Sequence, residues 1–235
     1  MASKLTGPRI EARGGRAQQL VVFLHGYGAD GNDLIELGQQ WRQILPDAAF
    51  VSPHAPDRCT QSPTGRQWFP LSAAPPDDER GAEDRWRGAN AARPGLDAFL
   101  DEELARLGLD ESRLALVGFS QGCMMALHVG LRRRRAVAGI VGYSGLLIGA
   151  EHLQEASARN ARGEAPPVLL VHGDRDPVIP VEAMFLAAND LAAAEIPCQW
   201  HMSVGVAHGI DGGGLKHGAL FLANAFSLAS GLRSK

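Results

Sequence analysis

The clearest chemical signal in the sequence is a serine held between two glycines, in Gly118-Phe119-Ser120-Gln121-Gly122. An apolar run, Leu114–Val117, precedes this motif, and a helix-like run, Met124–Val129, follows it. A serine on a sharp strand-to-helix turn needs small neighbours, because the turn is strained and the backbone segments approach closely. The context therefore predicts that Ser120 is a nucleophile, with an ordinary Gly/Ser turn as the alternative.

A serine hydroxyl becomes an effective nucleophile only when a base takes its proton and a carboxylate orients that base. Among the eight histidines, His208 is the candidate base. It lies in Gly205-Val206-Ala207-His208-Gly209, directly after the last apolar run. In the chain order serine, acid, histidine, the base comes last, as His208 does. His25 and His172 end strand-like runs as His-Gly pairs, and we interpret them as structural.

Two aspartates compete for the role of the acid. Both follow the apolar run Val168–Val171, in His172-Gly173-Asp174-Arg175-Asp176-Pro177. Periodicity does not choose between Asp174 and Asp176, and Asp174 could equally be a turn former that binds its own backbone. We predict no metal site here, because no histidine, glutamate or cysteine with ligand spacing accompanies the pair.

Acyl transfer also needs backbone amides that stabilise the oxyanion. The glycine-rich stretch His25-Gly26-Tyr27-Gly28-Ala29-Asp30-Gly31 follows an early apolar run and suits that purpose. The N–H groups of Tyr27 and Gln121 are the candidates. A phosphate-binding turn or a plain tight turn is the alternative, and the missing Gly-Lys-Ser/Thr argues against a nucleotide.

The fold class is predicted from the alternation of two kinds of segment. Apolar runs typical of buried strands cover Leu20–Leu24, Ala48–Val51, Arg113–Gly118, Val137–Tyr143, Val168–Val171 and Cys198–Val204. Segments with helical spacing cover 33–44, 89–107, 121–133, 181–195 and 215–231. This alternation predicts an α/β protein with a mostly parallel central sheet and helices on both faces. Functional residues are then expected after the carboxyl ends of strands.

We expect one domain over residues 1–235, with two local features. Gly14-Gly15 lies between short segments at Pro8–Arg13 and Gln18–Leu24 and predicts an entry hairpin at residues 1–17, with the run Leu20–Leu24 as its second strand. The stretch 72–87 is polar, contains prolines and lacks periodicity, so it predicts a surface loop.

Apolar side chains directly before that loop are candidates for a substrate pocket. They are Trp68, Phe69 and Leu71. An apolar wall suits an acyl chain, and no arginine pair is placed to clamp a carboxylate or phosphate. Core packing is the alternative interpretation of the same side chains.

Composition excludes several classes of protein. Hydrophobic residues make up 45% and charged residues 21% of the chain, as in folded globular proteins. The formal net charge of −3 argues against nucleic acid as a partner. Three scattered cysteines, the absence of an apolar leader and the absence of a membrane-length run predict a cytoplasmic protein without stable membrane association. The oligomeric expectation is a monomer or homodimer, and we expect no cofactor.

The glycine-rich stretch, the serine motif, the two-aspartate motif and the loop around His208 together resemble the phospholipase/carboxylesterase family, which includes acyl-protein thioesterases. They extend from residue 24 to about 210. The resemblance implies the α/β-hydrolase fold, Asp176 as the acid, and the amides of Tyr27 and Gln121 as the oxyanion hole. Two positions depart from the family pattern: Cys123 stands where glycine is common, and Tyr27 where leucine is common.

The activity expected from these motifs is that of a serine carboxylesterase. It would hydrolyse small-molecule esters with short-to-medium acyl groups through an acyl-enzyme intermediate. The resemblance leaves a lysophospholipase or an acyl-protein thioesterase as the alternative. A non-catalytic binding protein on the same fold is the other class, although each catalytic role has a candidate residue.

Overall fold

The computed structural model describes residues 4–59, 61–71, 79–154, 158 and 165–231, and a seven-stranded sheet lies at its centre. The strands are β1 (Arg9–Ile10), β2 (Gln19–Leu24), β3 (Ala48–Val51), β4 (Asp57–Arg58), β5 (Arg66–Gln67), β6 (Leu114–Phe119), β7 (Gly139–Tyr143), β8 (Val168–Gly173) and β9 (Cys198–Ser203). The helices are α1 (Gly31–Trp41), α2 (Glu79–Leu107), α3 (Gln121–Gly130), α4 (Glu182–Ala193) and α5 (Gly212–Gly231). The strand order is β1-β3-β2-β6-β7-β8-β9, while β4 and β5 form a separate antiparallel pair.

The sheet is parallel except at one edge, where β1 runs antiparallel to β3. Alternate residues of β2 enter two separate apolar layers, one on each face of the sheet. Leu20 and Val22 pack in the layer that contains residues of α2, α3 and α4, and Val21 and Phe23 pack in the layer that contains residues of α1 and α5. This arrangement confirms the expected α/β-hydrolase architecture. Within the described ranges, no helix has the length and apolar content needed to cross a membrane.

The expected entry hairpin in residues 1–17 is wrong. Arg9 and Ile10 pair with Val51 and Phe50 of β3, so β3 lies between β1 and β2. The chain does turn at the predicted place, where the Gly15 N–H donates to the Ala12 carbonyl at 3.1 Å. However, both edges of β2 are occupied by β3 and β6, so the first strand cannot pair with β2 and instead extends the outer edge of β3.

The expected surface loop over 72–87 is wrong in its second half. Residues 72–78 lie outside the described residues, but α2 begins at Glu79 and continues through Pro94 to Leu107. The fully buried residues of its first turns are small, Gly81 and Ala89, and Trp86 is partly buried against the core. A Cβ added to Gly88 would lie 2.8 Å from atoms of Phe69. Residues 79–88 contain a single large apolar residue, Trp86, so no helical spacing of large apolar residues marks this part of α2 in the sequence.

Candidate active site

Ser120 occupies the sharp turn between β6 and α3. Its φ of 53° lies in the left-handed region, and its N–H donates to the carbonyl of Tyr143 at 2.9 Å. A Cβ on Gly118 would lie 2.1 Å from the Gly122 carbonyl oxygen, and one on Gly122 would lie 1.8 Å from the Leu24 carbonyl oxygen. Both glycines are therefore required by the close backbone contacts that hold the serine in this strained conformation.

His208 and Asp176 form a close side-chain pair at the carboxyl edge of the sheet. Asp176 Oδ2 lies 2.7 Å from His208 Nδ1, and Oδ1 accepts the N–H groups of Val178 at 2.8 Å and Ile179 at 2.9 Å. Burial raises the pKa of the Asp176 carboxyl, but these hydrogen bonds outweigh burial and lower its pKa below the ordinary value. Because the ionised carboxylate can only accept, Nδ1 carries the hydrogen and Nε2 keeps its lone pair.

Phe119, the residue before Ser120, contacts the His208 ring. The Phe119 and His208 rings lie 4.9 Å apart, measured between their centroids. Strands β6, β8 and β9 are parallel members of one sheet, and Ser120, Asp176 and His208 each follow the carboxyl end of one of them. The structure thus brings the three sequence-predicted side chains to one edge, as expected for ligand binding in such sheets.

The two aspartates after β8 have different partners. Asp174 Oδ1 accepts the N–H of Gly205 at 2.6 Å, rather than an N–H of its own turn. Gly205 begins the loop that carries His208 and has a φ of 79°. Asp174 therefore anchors the loop of the candidate base, whereas Asp176 contacts the base itself.

His172 also contacts the candidate acid, a contact that no local pattern in the sequence predicts. The ring is buried, with Nε2 at 2.9 Å from the Ile179 carbonyl oxygen and at 3.3 Å from Asp176 Oδ2. Since both neighbours are acceptors, Nε2 carries the hydrogen. His172 thereby helps to fix the carboxylate that orients His208, a role consistent with its interpretation as a structural strand-end residue.

The glycine-rich stretch after β2 lies directly against the serine. A Cβ added to Gly26 would lie 3.4 Å from Ser120 Cβ. Gly28 adopts a φ of 80°, and its N–H donates to the Arg66 carbonyl at 2.9 Å. Tyr27 lies between these two glycines. Gln121 begins α3, so its N–H belongs to the first helical turn, where amides have no partner within the helix.

The three side chains expected to line a pocket lie close to this stretch. Trp68 and Phe69 are each only 1% exposed, and Leu71 is partly buried against the core. The indole Nε1–H of Trp68 donates to the His25 carbonyl at 3.0 Å. Trp68 and Phe69 also line a cleft of about 290 Å³, which is bordered on its other side by Gly88, Ala91 and Ala92 of α2.

Cys123, close to the serine, is a packing residue. Cys123 lies one helical turn after Ser120 and is 1% exposed, and burial raises the pKa of its thiol to about 12. A Cβ on Gly145 would lie 2.4 Å from Cys123 Cβ, so the side chain fills a packed site. In the part of the chain that the structure describes, no group of three or more histidine, cysteine, aspartate or glutamate side chains could hold a metal ion.

The fold is that of an α/β hydrolase, and comparison with known proteins gives both the class, carboxylic ester hydrolase, and the family. The chain belongs to the phospholipase/carboxylesterase family, whose model matches residues 5–225, and the resemblance seen in the motifs is thereby confirmed. It is 32% identical over 166 residues to acyl-protein thioesterase 1 of Schizosaccharomyces pombe, covering 68% of this chain and 69% of that protein. It is 26% identical to the esterase YpfH of Escherichia coli, covering 83% of this chain and 78% of that protein.

A solved structure of an esterase is also similar to this chain. The crystal structure of esterase PE8 superposes with a TM-score of 0.85 at 43% sequence identity, covering 95% of this chain and 100% of that chain.

Proposed function

We propose that this protein is a serine carboxylesterase that hydrolyses small-molecule esters with short-to-medium acyl groups. The observation that carries the proposal is the 2.7 Å contact between Asp176 Oδ2 and His208 Nδ1 at the edge where Ser120 occupies its strained turn. Similarity to esterases supports the same reaction class. We further propose that it works in the cytoplasm, as a monomer or homodimer, where its three unpaired cysteines would remain reduced.

The reaction begins with attack of Ser120 Oγ on the ester carbonyl carbon. His208 Nε2 takes the hydroxyl proton, and Asp176 stabilises the resulting imidazolium through Nδ1–H. The N–H groups of Tyr27 and Gln121 donate to the oxyanion of the tetrahedral intermediate. When the intermediate collapses, the C–O bond of the leaving group breaks, and the imidazolium gives its proton to the departing alcohol. Water then repeats the sequence on the acyl-enzyme and releases the carboxylic acid.

An acyl-protein thioesterase or a lysophospholipase is the second candidate. Similarity to acyl-protein thioesterase 1 from several fungi favours it, because a thioester would use the same triad and oxyanion hole. The two candidates differ in the size of the acyl group and leaving group that the site accepts. Trp68, Phe69 and Leu71 remain our proposed pocket residues.

The test is a series of kcat/KM measurements on p-nitrophenyl esters from acetate to octanoate, with thioesters of matched acyl length. Each additional buried methylene should raise kcat/KM by up to about fourfold, corresponding to about 0.8 kcal/mol, until the pocket is full. A plateau at short-to-medium length supports the carboxylesterase. Activity confined to the thioesters, or a kcat/KM that still rises at octanoate, would support the second candidate, and binding without turnover would indicate a non-catalytic protein.

A further inference from the structure

A short segment of the chain, residues 66–69, lies between the two parts of the candidate oxyanion hole. We call it the strap. It contains β5 and the two residues that follow, and it contacts both the glycine-rich stretch after β2 and the start of α3. The two candidate oxyanion amides belong to these two segments, which lie far apart in the sequence.

On the α3 side, the strap is bound by the side chain of Gln121. The Trp68 N–H donates to Gln121 Oε1 at 2.9 Å, and Gln121 Nε2 donates to the Phe69 carbonyl at 2.7 Å. Gln121 is 0% exposed. A carboxamide presents one acceptor and one donor in the same plane, so it can bind a backbone N–H and a carbonyl together, which neither a hydrocarbon nor an ionised carboxylate can do.

On the other side, the strap is bound to residues on both sides of Tyr27. The Gly28 N–H donates to the Arg66 carbonyl at 2.9 Å, and the Arg66 N–H donates to the Ala29 carbonyl at 2.7 Å. The Trp68 indole donates to the His25 carbonyl at 3.0 Å. Three hydrogen bonds therefore fix the backbone immediately before and after the Tyr27 amide.

The strap is itself held in place by its arginine. The Arg66 guanidinium donates to the carbonyls of Ala55 at 3.0 Å and Pro56 at 3.2 Å. His25 Nε2 accepts the N–H of Ala55 at 3.0 Å, so the same segment supports the strap and the glycine-rich stretch. Each of these contacts uses backbone atoms, and together they link α3 to the residues around Tyr27.

We propose that the Gln121 and Trp68 side chains are positioning residues that set the distance between the two oxyanion amides. The inference rests on the proposed function, since it concerns how the two amides of that oxyanion hole are held at a fixed distance. Oxyanion donors act only when they are held within hydrogen-bond distance of the developing charge, and removal of one donor costs on the order of 10²–10³ in kcat. Loosening the strap displaces a donor without removing it, so a smaller loss is expected.

The decisive variant is Gln121→Met, which keeps the length of the side chain and removes both hydrogen bonds to the strap. We expect kcat to fall about 10- to 100-fold with KM changed by less than about threefold, because the missing interaction acts in the transition state. The affinity for a trifluoromethyl ketone, whose adduct with a serine carries an oxyanion, should fall by a similar factor. Trp68→Phe keeps the aromatic packing, removes only the bond to the His25 carbonyl, and should lower kcat about 3- to 10-fold.

His128→Met is the matched control, because His128 is also buried in α3 but lies two helical turns beyond Gln121. It should keep the kcat of the parent protein. Thermal unfolding of every variant separates misfolding from mispositioning, and if Gln121→Met does not fold, Trp68→Phe decides the question.

Full kcat in folded Gln121→Met, or a raised KM at unchanged kcat, would overturn the proposal; the latter would assign the strap to ground-state binding. The proposed function fails separately, through turnover that survives Ser120→Ala.

Discussion

At the scale of single residues, the different partners of Asp174 and Asp176 predict different losses on substitution. Asp176→Asn removes the charge that stabilises the imidazolium and allows the wrong histidine tautomer, so kcat should fall by roughly 10⁴-fold, as in other triads. Asp174→Asn retains a side-chain oxygen that can accept the Gly205 N–H, so its loss should be distinctly smaller. Steady-state kinetics on one p-nitrophenyl ester compares the two, and the reverse order would reassign the acid.

The sequence predicted those candidate residues whose chemistry is local in the chain. Ser120 stands in a motif with its own glycines, and His208 lies in the loop that follows an apolar run. The choice between Asp174 and Asp176 could not come from spacing, because both follow the same strand and only their contacts with other loops separate them.

The side-chain role of Gln121 was not predictable for a related reason. It binds the backbone of residues 68 and 69, and backbone atoms carry no sequence signal. The position of His172 beside the acid was not predictable either, because its Nε2 contacts a backbone atom, the Ile179 carbonyl oxygen.

At the scale of elements, the turn between β6 and α3 depends on the close approach of β2. Gly122→Ala would place a Cβ 1.8 Å from the Leu24 carbonyl oxygen, so the strand or the helix must move. We expect a loss of at least about 2 kcal/mol in the free energy of unfolding, at the upper range of core overpacking. Denaturant titration measures this change.

Gly14→Ala is the control for that substitution. Gly14 is exposed, and an added Cβ would meet no atom within 4 Å. Its effect should stay within about 0.5 kcal/mol. Equal stability of the Gly122→Ala variant and the parent protein would show that the backbone contact at the turn is not required.

Elements with large apolar residues were predicted well, and those that pack through small residues were not. The runs that became β2, β3, β6, β7 and β8 are buried on both faces, so each consists almost entirely of apolar residues and glycine. The first turns of α2 instead pack through glycine and alanine and resemble a polar loop in sequence. The position of β1 beyond β3 depends on which sheet edges remain open, which no local pattern contains.

At the scale of the whole molecule, buried histidines should make stability depend on pH. His128 is 0% exposed, and burial, together with the nearby positive charges of Arg132 and Arg93, lowers its pKa to about 3; burial lowers the pKa of His25 to about 4. In the unfolded chain these two histidines take up protons near pH 6.5, whereas in the folded protein their lowered pKa values delay protonation to about pH 3 to 4. Stability is therefore full above about pH 6.5 and falls as the pH is lowered toward 4.

His128→Met should reduce this acid dependence. The change removes one proton-linked group from the core, so the loss of unfolding free energy between pH 7 and pH 5 should be smaller than in the parent protein by roughly 1–2 kcal/mol. His25 remains in the variant and should leave part of the slope in place. Urea titrations at several pH values measure both slopes, and identical slopes would show that His128 is not protonated on unfolding in this range.

The most direct test of the catalytic account is covalent labelling with a fluorophosphonate, mapped by peptide mass spectrometry. The parent protein should take up one phosphonyl group, located on Ser120, because the proposed base and oxyanion hole would activate that hydroxyl. His208→Ala should label far more slowly, and Ser120→Ala should not label at all. A stoichiometric adduct on another residue, or unchanged labelling of Ser120→Ala, would contradict the assignment of Ser120 as the nucleophile.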